Sequence, residues 1–200
     1  MTLKYSLKNK TIAIIAAHTD DIELGMGATL NQLRDEAIYI HVFSVGTAEQ
    51  DEFYKSMEVY GFDTPDLDAY PTRNFHSPEW TQRIRDFVFS GYHYDVLFTH
   101  SKYSQHLDHR IVGEAVDDII KEKTIITWEE VHSGKNIPVN MWNEVSSDDM
   151  AVKSRAIDCY KSQAKRPYFE GDHIMTMARF RGNQILKDYA EAFNVVRLVT

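Results

Sequence analysis

The stretch Thr11-Ile-Ala-Ile-Ile-Ala-Ala-His18-Thr-Asp-Asp21 joins a short apolar run to an abruptly polar end. The run Thr11 to Ala17 is rich in β-branched residues and predicts a strand buried on both faces, as in a parallel sheet. Apolar residues then recur at helical spacing, at Ile22, Met26, Leu30 and Leu33. The chain therefore begins with a predicted strand, a polar turn and a helix.

Further strands and helices alternate along the chain in the same way. Further strands are expected over Ala37–Val45 and Asp95–Thr99, with helical stripes between them. Weaker expectations concern the rest of the chain: strands over Thr124–Trp128 and Ile137–Met141, a helix capped by Ser146–Asp149, a helix over Asn183–Ala192 and a strand over Val195–Val199. Such alternation predicts an α/β fold, an open and mostly parallel sheet with helices on both faces.

Size and composition restrict the class of protein. A chain of 200 residues is expected to form a single domain over residues 1–200. A hydrophobic fraction of 43% and a charged fraction of 26% are ordinary for a globular protein and exclude disorder, collagen and coiled coil. The net charge of −8 argues against nucleic acid as a partner. The single Cys159 excludes an internal disulfide and a cysteine-rich zinc cluster.

The apolar stretches bear on location in the cell. No stretch approaches the ~18 consecutive apolar residues of a membrane span, so stable membrane insertion is not expected. The apolar run Ile12–Ala17 is too short for the core of a signal peptide. We therefore expect a cytoplasmic protein.

Polar side chains follow two of the predicted strands. The first strand runs into His18–Asp21, and the strand ending at Thr99 is followed by His100 and then by His106-Leu-Asp-His109. Ligands of an open parallel sheet bind beyond the carboxyl ends of its strands. Both groups are thus expected at the same edge of the sheet.

The first polar group has two interpretations. Its aspartates could simply cap the following helix. Capping does not explain a histidine before two adjacent carboxylates, whose mutual repulsion calls for a nearby positive charge. A divalent metal ion would supply that charge. His18 and Asp21 could converge on one ion while Asp20 points elsewhere.

The second group supplies complementary residues. His106 and His109 are three positions apart with Asp108 between them, a weak signal that gains weight from its predicted place after a strand. The two groups together offer two histidines and one carboxylate, a ligand set that suits zinc or iron and leaves positions open for water. Asp20, His106 and Asp108 remain as a base, an acid and an orienting carboxylate.

These residues carry a family resemblance. Residues Ala17–Ala28 resemble the Ala-His-Pro-Asp-Asp-x-Glu-x-Gly-x-Gly-Gly signature of the PIG-L/LmbE-like deacetylases. His106–His109, followed by Gly113, are similar to the His-Pro-Asp-His signature of that family. Weaker similarities follow at Lys153, Ala156, Ser162, Gln163 and Tyr189–Phe193. The resemblance thus extends over nearly the whole chain in the expected order.

The resemblance implies a Rossmann-like three-layer α/β sandwich and the zinc-dependent removal of an acetyl group from a small-molecule N-acetyl amino sugar or its conjugate. It assigns the metal to His18, Asp21 and His109, a set that ferrous iron would also suit. It assigns the general base to Asp20. His106 would stabilise the oxyanion or protonate the leaving amine, and Asp108 would tune His106.

Three positions depart from the family patterns. Thr19 replaces the usual proline, so the turn is expected to be less rigid, and Ala28 replaces a glycine. Tyr160 stands where the late pattern usually has histidine, and it receives no role.

Two rival functions remain. Gly25 and Gly27 follow a strand as in a dinucleotide fingerprint, but the third glycine is replaced by Leu30 and both glycines fall inside the helix, where they favour close packing. A nucleotide-binding oxidoreductase therefore has little support. The other rival is a catalytically degenerate metal-binding or interaction module on the same fold, which the presence of all six site residues argues against.

Three further residues have an ordinary structural interpretation as well as a functional one. Glu23 could belong to the site or be a solvated carboxylate of the first helical turn. His100 could line the pocket, but it is interpreted as a hydrogen-bonded histidine. Arg73 could bind a sugar hydroxyl or a phosphate, but it is interpreted as a surface residue.

Overall fold

A computed structural model describes residues 3–44, 47–63, 65–68, 78–89, 93–169 and 171–199. Seven strands in these ranges form one sheet in the order β3-β2-β1-β4-β5-β7-β6. The strands are β1 Thr11–His18, β2 Ala37–Ser44, β3 Asp66–Leu67, β4 Val96–Thr99, β5 Thr124–Trp128, β6 Met141–Glu144 and β7 Ala190–Arg197. The first five are parallel, and β7 runs antiparallel to both β5 and β6. The expected mostly parallel α/β sheet is confirmed.

Helices connect and cover the strands. They are α1 Leu3–Ser6, α2 Asp21–Leu33, α3 Thr47–Tyr60, α4 Pro78–Phe89, α5 Leu107–Ile119, α6 Ser147–Ile157 and α7 Gly171–Asn183. Two single 3₁₀ turns, Lys161–Gln163 and Pro167–Phe169, lie between α6 and α7. The expected cap of α6 is confirmed, because Ser146 and Asp149 form a reciprocal capping box.

The side chains of β1 divide between two apolar layers. Ile12, Ile14 and Ala16 belong to one core cluster, which includes residues of α2, α3, α6 and α7. Ala13, Ile15 and Ala17 belong to another, which includes residues of α4 and α5. This alternation explains why β1 is apolar from Ile12 to Ala17, and it establishes the three-layer arrangement.

The order of the strands places a crevice beside β1. Chain connections from β1 lead outward through β2 to β3, whereas β4 pairs with the opposite side of β1. The strand order thus reverses between β1 and β4. In open α/β sheets the ligand site lies at this reversal, outside the carboxyl ends of the strands.

The glycines of α2 allow close packing, as expected from the sequence. A Cβ atom on Gly25 would lie 2.3 Å from the Trp128 ring, and one on Gly27 would lie 2.7 Å from the Tyr60 hydroxyl. Met26, between them, has non-helical backbone angles that kink the helix. The absence of a side chain at Gly25 and Gly27 therefore lets α2 pack closely against the sheet and against α3.

The expected helix over Asn183–Ala192 is wrong. The helix ends at Asn183, a turn follows, and the chain then enters β7, the antiparallel strand between β5 and β6. Ala190, Ala192 and Phe193 are buried there, all three pair with β6, and Phe193 also pairs with β5. Tertiary packing overrides the helical preference of alanine and glutamate, which is a weak prior. The expected strand Val195–Val199 is the end of β7, which begins earlier and stops at Arg197.

Two other expectations are shifted. The expected strand over Ile137–Met141 is wrong for residues 137–140, because β6 begins only at Met141. The sequence also predicts a short strand over Leu67–Tyr70. The structure has β3 at Asp66–Leu67, Asp68 lies outside that strand, and residues 69–70 fall outside the described residues. In the part of the chain that the structure describes, no helix has both the length and the apolar character needed to cross a membrane.

Candidate metal and catalytic site

Both polar groups lie at the reversal of the strand order. His18 ends β1, Asp20 occupies the N-cap of α2 and Asp21 begins that helix. His106 is the N-cap residue of α5, and Asp108 and His109 lie in its first turn. Two strand-to-helix connections thus bring the six sequence-predicted residues to one edge of the sheet.

Three of these side chains converge on one point. His18 Nδ1 lies 3.2 Å from Asp21 Oδ2, and His109 Nε2 lies 3.1 Å from Asp21 Oδ1. The two imidazole nitrogens are 3.1 Å apart. Zinc bonds of ~2.0–2.1 Å in a tetrahedron separate neighbouring ligand atoms by roughly 3.3 Å. The two nitrogens, and the Asp21 oxygen nearest to each of them, therefore have nearly the spacing of ligands of one such ion.

Each of these histidines presents its other nitrogen to a carboxylate. His18 Nε2 lies 3.0 Å from Asp108 Oδ2, and His109 Nδ1 lies 3.1 Å from Glu130 Oε1. The side chains of Asp108 and Glu130 are 0% and 4% exposed. Metal-binding histidines commonly donate their second N–H to such a carboxylate, which fixes the ring and the tautomer. The donor set therefore fits a divalent ion.

The charges of the site also indicate a cation. Burial by itself would lower the pKa of His18, but Asp21 and Asp108 outweigh burial and raise it to about 9. Burial opposes the shift of His109 too, yet Asp21 and Glu130 raise its pKa to about 10. Burial would raise the pKa of Asp21, and the three histidines around it lower it instead. The neighbouring carboxylates thus favour positive charge on both imidazoles, and a divalent cation between them would supply that charge instead.

Asp20 and His106 differ from the converging residues. Burial, followed by the charge of Asp21, raises the pKa of Asp20 to about 6. Burial, followed by the charge of His109, lowers the pKa of His106 to about 4. His106 Nδ1 is buried and has no hydrogen-bond partner among the described residues. The Asp20 carboxyl is therefore suited to accept a proton near neutral pH, whereas the His106 imidazole is held neutral and can donate a hydrogen bond.

Asp108 occupies a different position from the one expected. The contact described for it is with His18 Nε2, at 3.0 Å. Its expected influence on His106 stays a prediction. The structure places it behind one of the converging histidines.

Two other sets of ligand atoms are close enough to consider. His18, His106 and His109 form one, and Asp21, His100 and His109 form the other, with the atoms of each within 4.8 Å of one another. His100 is already engaged, because its Nε2 accepts the Ala17 N–H and its Nδ1 lies 3.2 Å from Glu130. The interpretation of His100 as a hydrogen-bonded histidine is confirmed, although it also touches Asp21.

Sequence reasoning missed Glu130. It lies two residues beyond the end of β5, and its Oε2 accepts hydrogen bonds from Ser104 and Ser133. Its pKa would be raised by burial but is lowered by His100 and His109. The same rule that located His18 and His100, polar residues after a buried strand, applies to this third strand end and could have found it.

Glu130→Gln is expected to weaken metal binding by about 10–100-fold, the usual cost of losing a carboxylate behind a metal-binding histidine. The amide keeps the size but provides a weaker acceptor for His109. Chelator competition measures the affinity. The matched control is Glu129→Gln, since the neighbouring Glu129 pairs with Arg181 instead. Equal affinities of the two variants would contradict the assigned role.

The site opens into a cleft that is accessible to solvent. Glu49 of α3 lines it together with four residues that follow β5. These four are His132, Gln163, Arg166 and Tyr168. The His132 and Tyr168 rings stack 4.3 Å apart, and Arg166 donates to the Tyr168 hydroxyl at 2.6 Å. Arg73, named above as a surface residue, lies outside the described residues.

Glu23 is not a solvated carboxylate. It is fully buried, accepts a hydrogen bond from Ser56, and has its Oε1 2.8 Å from the Tyr160 hydroxyl oxygen. Burial raises its pKa to about 8. Glu23 therefore forms part of a buried polar cluster with Ser56 and Tyr160.

Comparison with known proteins supplies an independent result. A family model described as PIG-L, GlcNAc-PI de-N-acetylase, matches residues 13–120. That region contains all six sequence-predicted residues. No curated protein sequence matches the chain.

Several solved structures have the same fold. The N,N'-diacetylchitobiose deacetylase of Pyrococcus horikoshii has a TM-score of 0.77 and 21% identity, over 95% of this chain and 85% of that one. The 4-carboxy-2-hydroxymuconate hydratase GalB of Pseudomonas putida KT2440 has a TM-score of 0.76 and 14% identity, over 96% and 98%. The zinc-inhibited form of teicoplanin deacetylase Orf2 has a TM-score of 0.70 and 15% identity, over 92% and 97%.

Proposed function

The chain belongs to the PIG-L family, and from this we propose that it is a metal-dependent hydrolase that removes the acetyl group from an N-acetylated amino sugar or its conjugate. The proposed catalytic unit is one domain over residues 1–200. The convergence of His18, Asp21 and His109, with their nitrogen and oxygen atoms 3.1–3.2 Å apart, is the observation that carries the proposal.

The proposed metal is zinc, with ferrous iron as the other ion that suits the donors. His18 Nδ1, Asp21 and His109 Nε2 would hold it, while Asp108 and Glu130 keep both imidazoles in the tautomer that leaves those nitrogens free. When bound, the ion supplies Lewis acidity, which polarises a carbonyl and makes water more acidic.

The remaining residues would move protons. Asp20 accepts a proton from the water that attacks the acetyl carbonyl, as a carboxylate with a pKa of about 6 can do near neutral pH. His106 lies beside His18 and His109, with ring centroids 5.1 Å and 4.3 Å away. From there His106 hydrogen-bonds the developing oxyanion or protonates the departing amine. Acetate and the free amine are the products.

The fold does not by itself select this reaction. Deacetylases from Pyrococcus horikoshii and the teicoplanin pathway share it, and so does GalB, a hydratase. Amide hydrolysis releases acetate and a free amine, whereas hydration releases neither. Measurement of these two products therefore distinguishes the candidates.

The test is release of acetate and free amine from a panel of N-acetylglucosamine conjugates, with and without a chelator. Turnover that the chelator removes and added Zn²⁺ or Fe²⁺ restores is the expected result. Metal binding without turnover of any conjugate would instead support the degenerate module. Turnover that is indifferent to the chelator would contradict metal dependence.

His106→Ala is expected to lower kcat by roughly 10²–10³ while the metal stays bound, the scale found when one oxyanion donor is lost. Metal analysis accompanies the kinetics. His173→Ala, on the exposed side of α7, is the matched control and should keep full activity. An unchanged kcat in His106→Ala would remove His106 from the reaction.

A further inference from the structure

Two of the positions that depart from the family patterns touch each other. The Tyr160 hydroxyl lies 2.5 Å from the carbonyl oxygen of Thr19, although the residues are 141 positions apart. Tyr160 is 1% exposed and Thr19 is 2% exposed. A buried phenol thus holds the backbone at the residue where a proline is usual.

Thr19 occupies a sensitive place in the turn. It separates His18, a proposed metal ligand, from Asp20, the proposed base. Proline at this position would fix its own φ angle, whereas threonine leaves that angle free to vary. A shift of about 1 Å in a catalytic group can cost roughly 10²-fold in rate. The turn therefore needs another constraint.

Tyr160 is itself held firmly. Its hydroxyl is 2.8 Å from Glu23 Oε1, and Ser56 donates a hydrogen bond to the same oxygen. Glu23 and Ser56 are both fully buried. Tyr160 follows α6, Ser56 is on α3 and Glu23 is on α2, so residues of two other helices surround the phenol hydroxyl. The chain therefore presents a rigid donor to the Thr19 carbonyl.

We propose that Tyr160 is a positioning residue that tethers the Thr19 carbonyl and so keeps Asp20 aligned, a constraint that takes the place of the missing proline. This rests on the proposed deacetylation only for its kinetic consequence. The tether itself is a property of the backbone and can be measured without a substrate or a metal ion.

The test uses Tyr160→Phe, Thr19→Pro and the double variant. Tyr160→Phe should lower kcat by about 10–100-fold with little change in KM, the range found for residues that orient a metal site. Hydrogen exchange of the peptide covering residues 18–24 should accelerate, because a local hydrogen bond restrains its opening. Thr19→Pro should restore both quantities in the Tyr160→Phe background. The preceding His18 is in a strand, the conformation that proline favours before it.

Tyr60→Phe is the matched control. Tyr60 is also buried, and its hydroxyl has no hydrogen-bond partner among the described residues. Removing that hydroxyl should change neither kcat nor exchange of the turn. Comparable melting temperatures show that all variants fold, and Tyr160→His, which can still donate a hydrogen bond, provides a second probe.

Each outcome decides the matter. Equal exchange and equal kcat in Tyr160→Phe and Tyr60→Phe would overturn the tether. So would a slowed Tyr160→Phe enzyme that Thr19→Pro fails to restore, because the loss would then not pass through the turn. If the wild-type chain hydrolyses no acetyl amide, the proposed function fails, while the exchange data still decide whether Tyr160 restrains the turn.

Discussion

Asp20→Asn is expected to lose about 10²–10⁴ in kcat while it retains its metal and its affinity for substrate. Asparagine keeps the size of the side chain and can still hydrogen-bond a water molecule, but it cannot take a proton from it. Asp20 is buried, and the adjacent Asp21 is turned toward the two converging histidines. The two aspartates thus have separate tasks in the proposed reaction.

Single-turnover kinetics and metal analysis of purified Asp20→Asn check this expectation. Asp35→Asn, a change of the same chemistry on an exposed residue after α2, is the control. Wild-type turnover in Asp20→Asn would reduce Asp20 to a helix cap and place the base elsewhere. Loss of metal with the rate would show that the tasks of Asp20 and Asp21 are exchanged.

Replacement of His18, Asp21 or His109 by alanine is expected to abolish stoichiometric metal binding, a larger loss than the 10–100-fold assigned to their supporting carboxylates. Each substitution removes one of only three protein ligands and leaves the others with unbalanced buried charge. Metal content after purification and titration with Zn²⁺ measure the effect.

His106→Ala distinguishes this ligand set from the alternative. If the ion were held by His18, His106 and His109, His106→Ala would lose the metal and Asp21→Ala would keep it. The expected result is the reverse. Full metal content in all three alanine variants of the proposed ligands would contradict the assignment.

The first half of the fold could be predicted because its sequence patterns are local. An apolar run such as Thr11–Ala17 has few alternatives to a buried strand, and the polar residues that follow it must lie at the edge of the sheet. The positions of His18 and His109 in neighbouring connections follow from this rule alone. The distance of 3.1 Å between the ring nitrogens His18 Nδ1 and His109 Nε2 could not be predicted, because it depends on the packing of α2 and α5.

The last third depends on contacts that are distant in sequence. In isolation the sequence Ala190–Phe193 favours a helix. It forms part of strand β7 because the backbones of β5 and β6 pair with that strand on its two sides. Within that strand, Glu191 forms an ion pair with the buried Lys153, whose Nζ lies 2.6 Å from Glu191 Oε1. No local sequence pattern predicts this pair. The contact of Asp108 with His18 was missed for a similar reason, since neighbours in sequence suggested His106 as its partner.

Part of the cleft lining lies beyond the region that the family model matches. His132, Gln163, Arg166 and Tyr168 follow residue 120, where the family match ends, whereas the six residues assigned to metal and proton transfer precede it. Glu49 lines the same cleft from within the matched region. In the proposed reaction, substitutions at the four later positions can therefore change which conjugate is preferred while the residues that act on the acetyl amide stay the same.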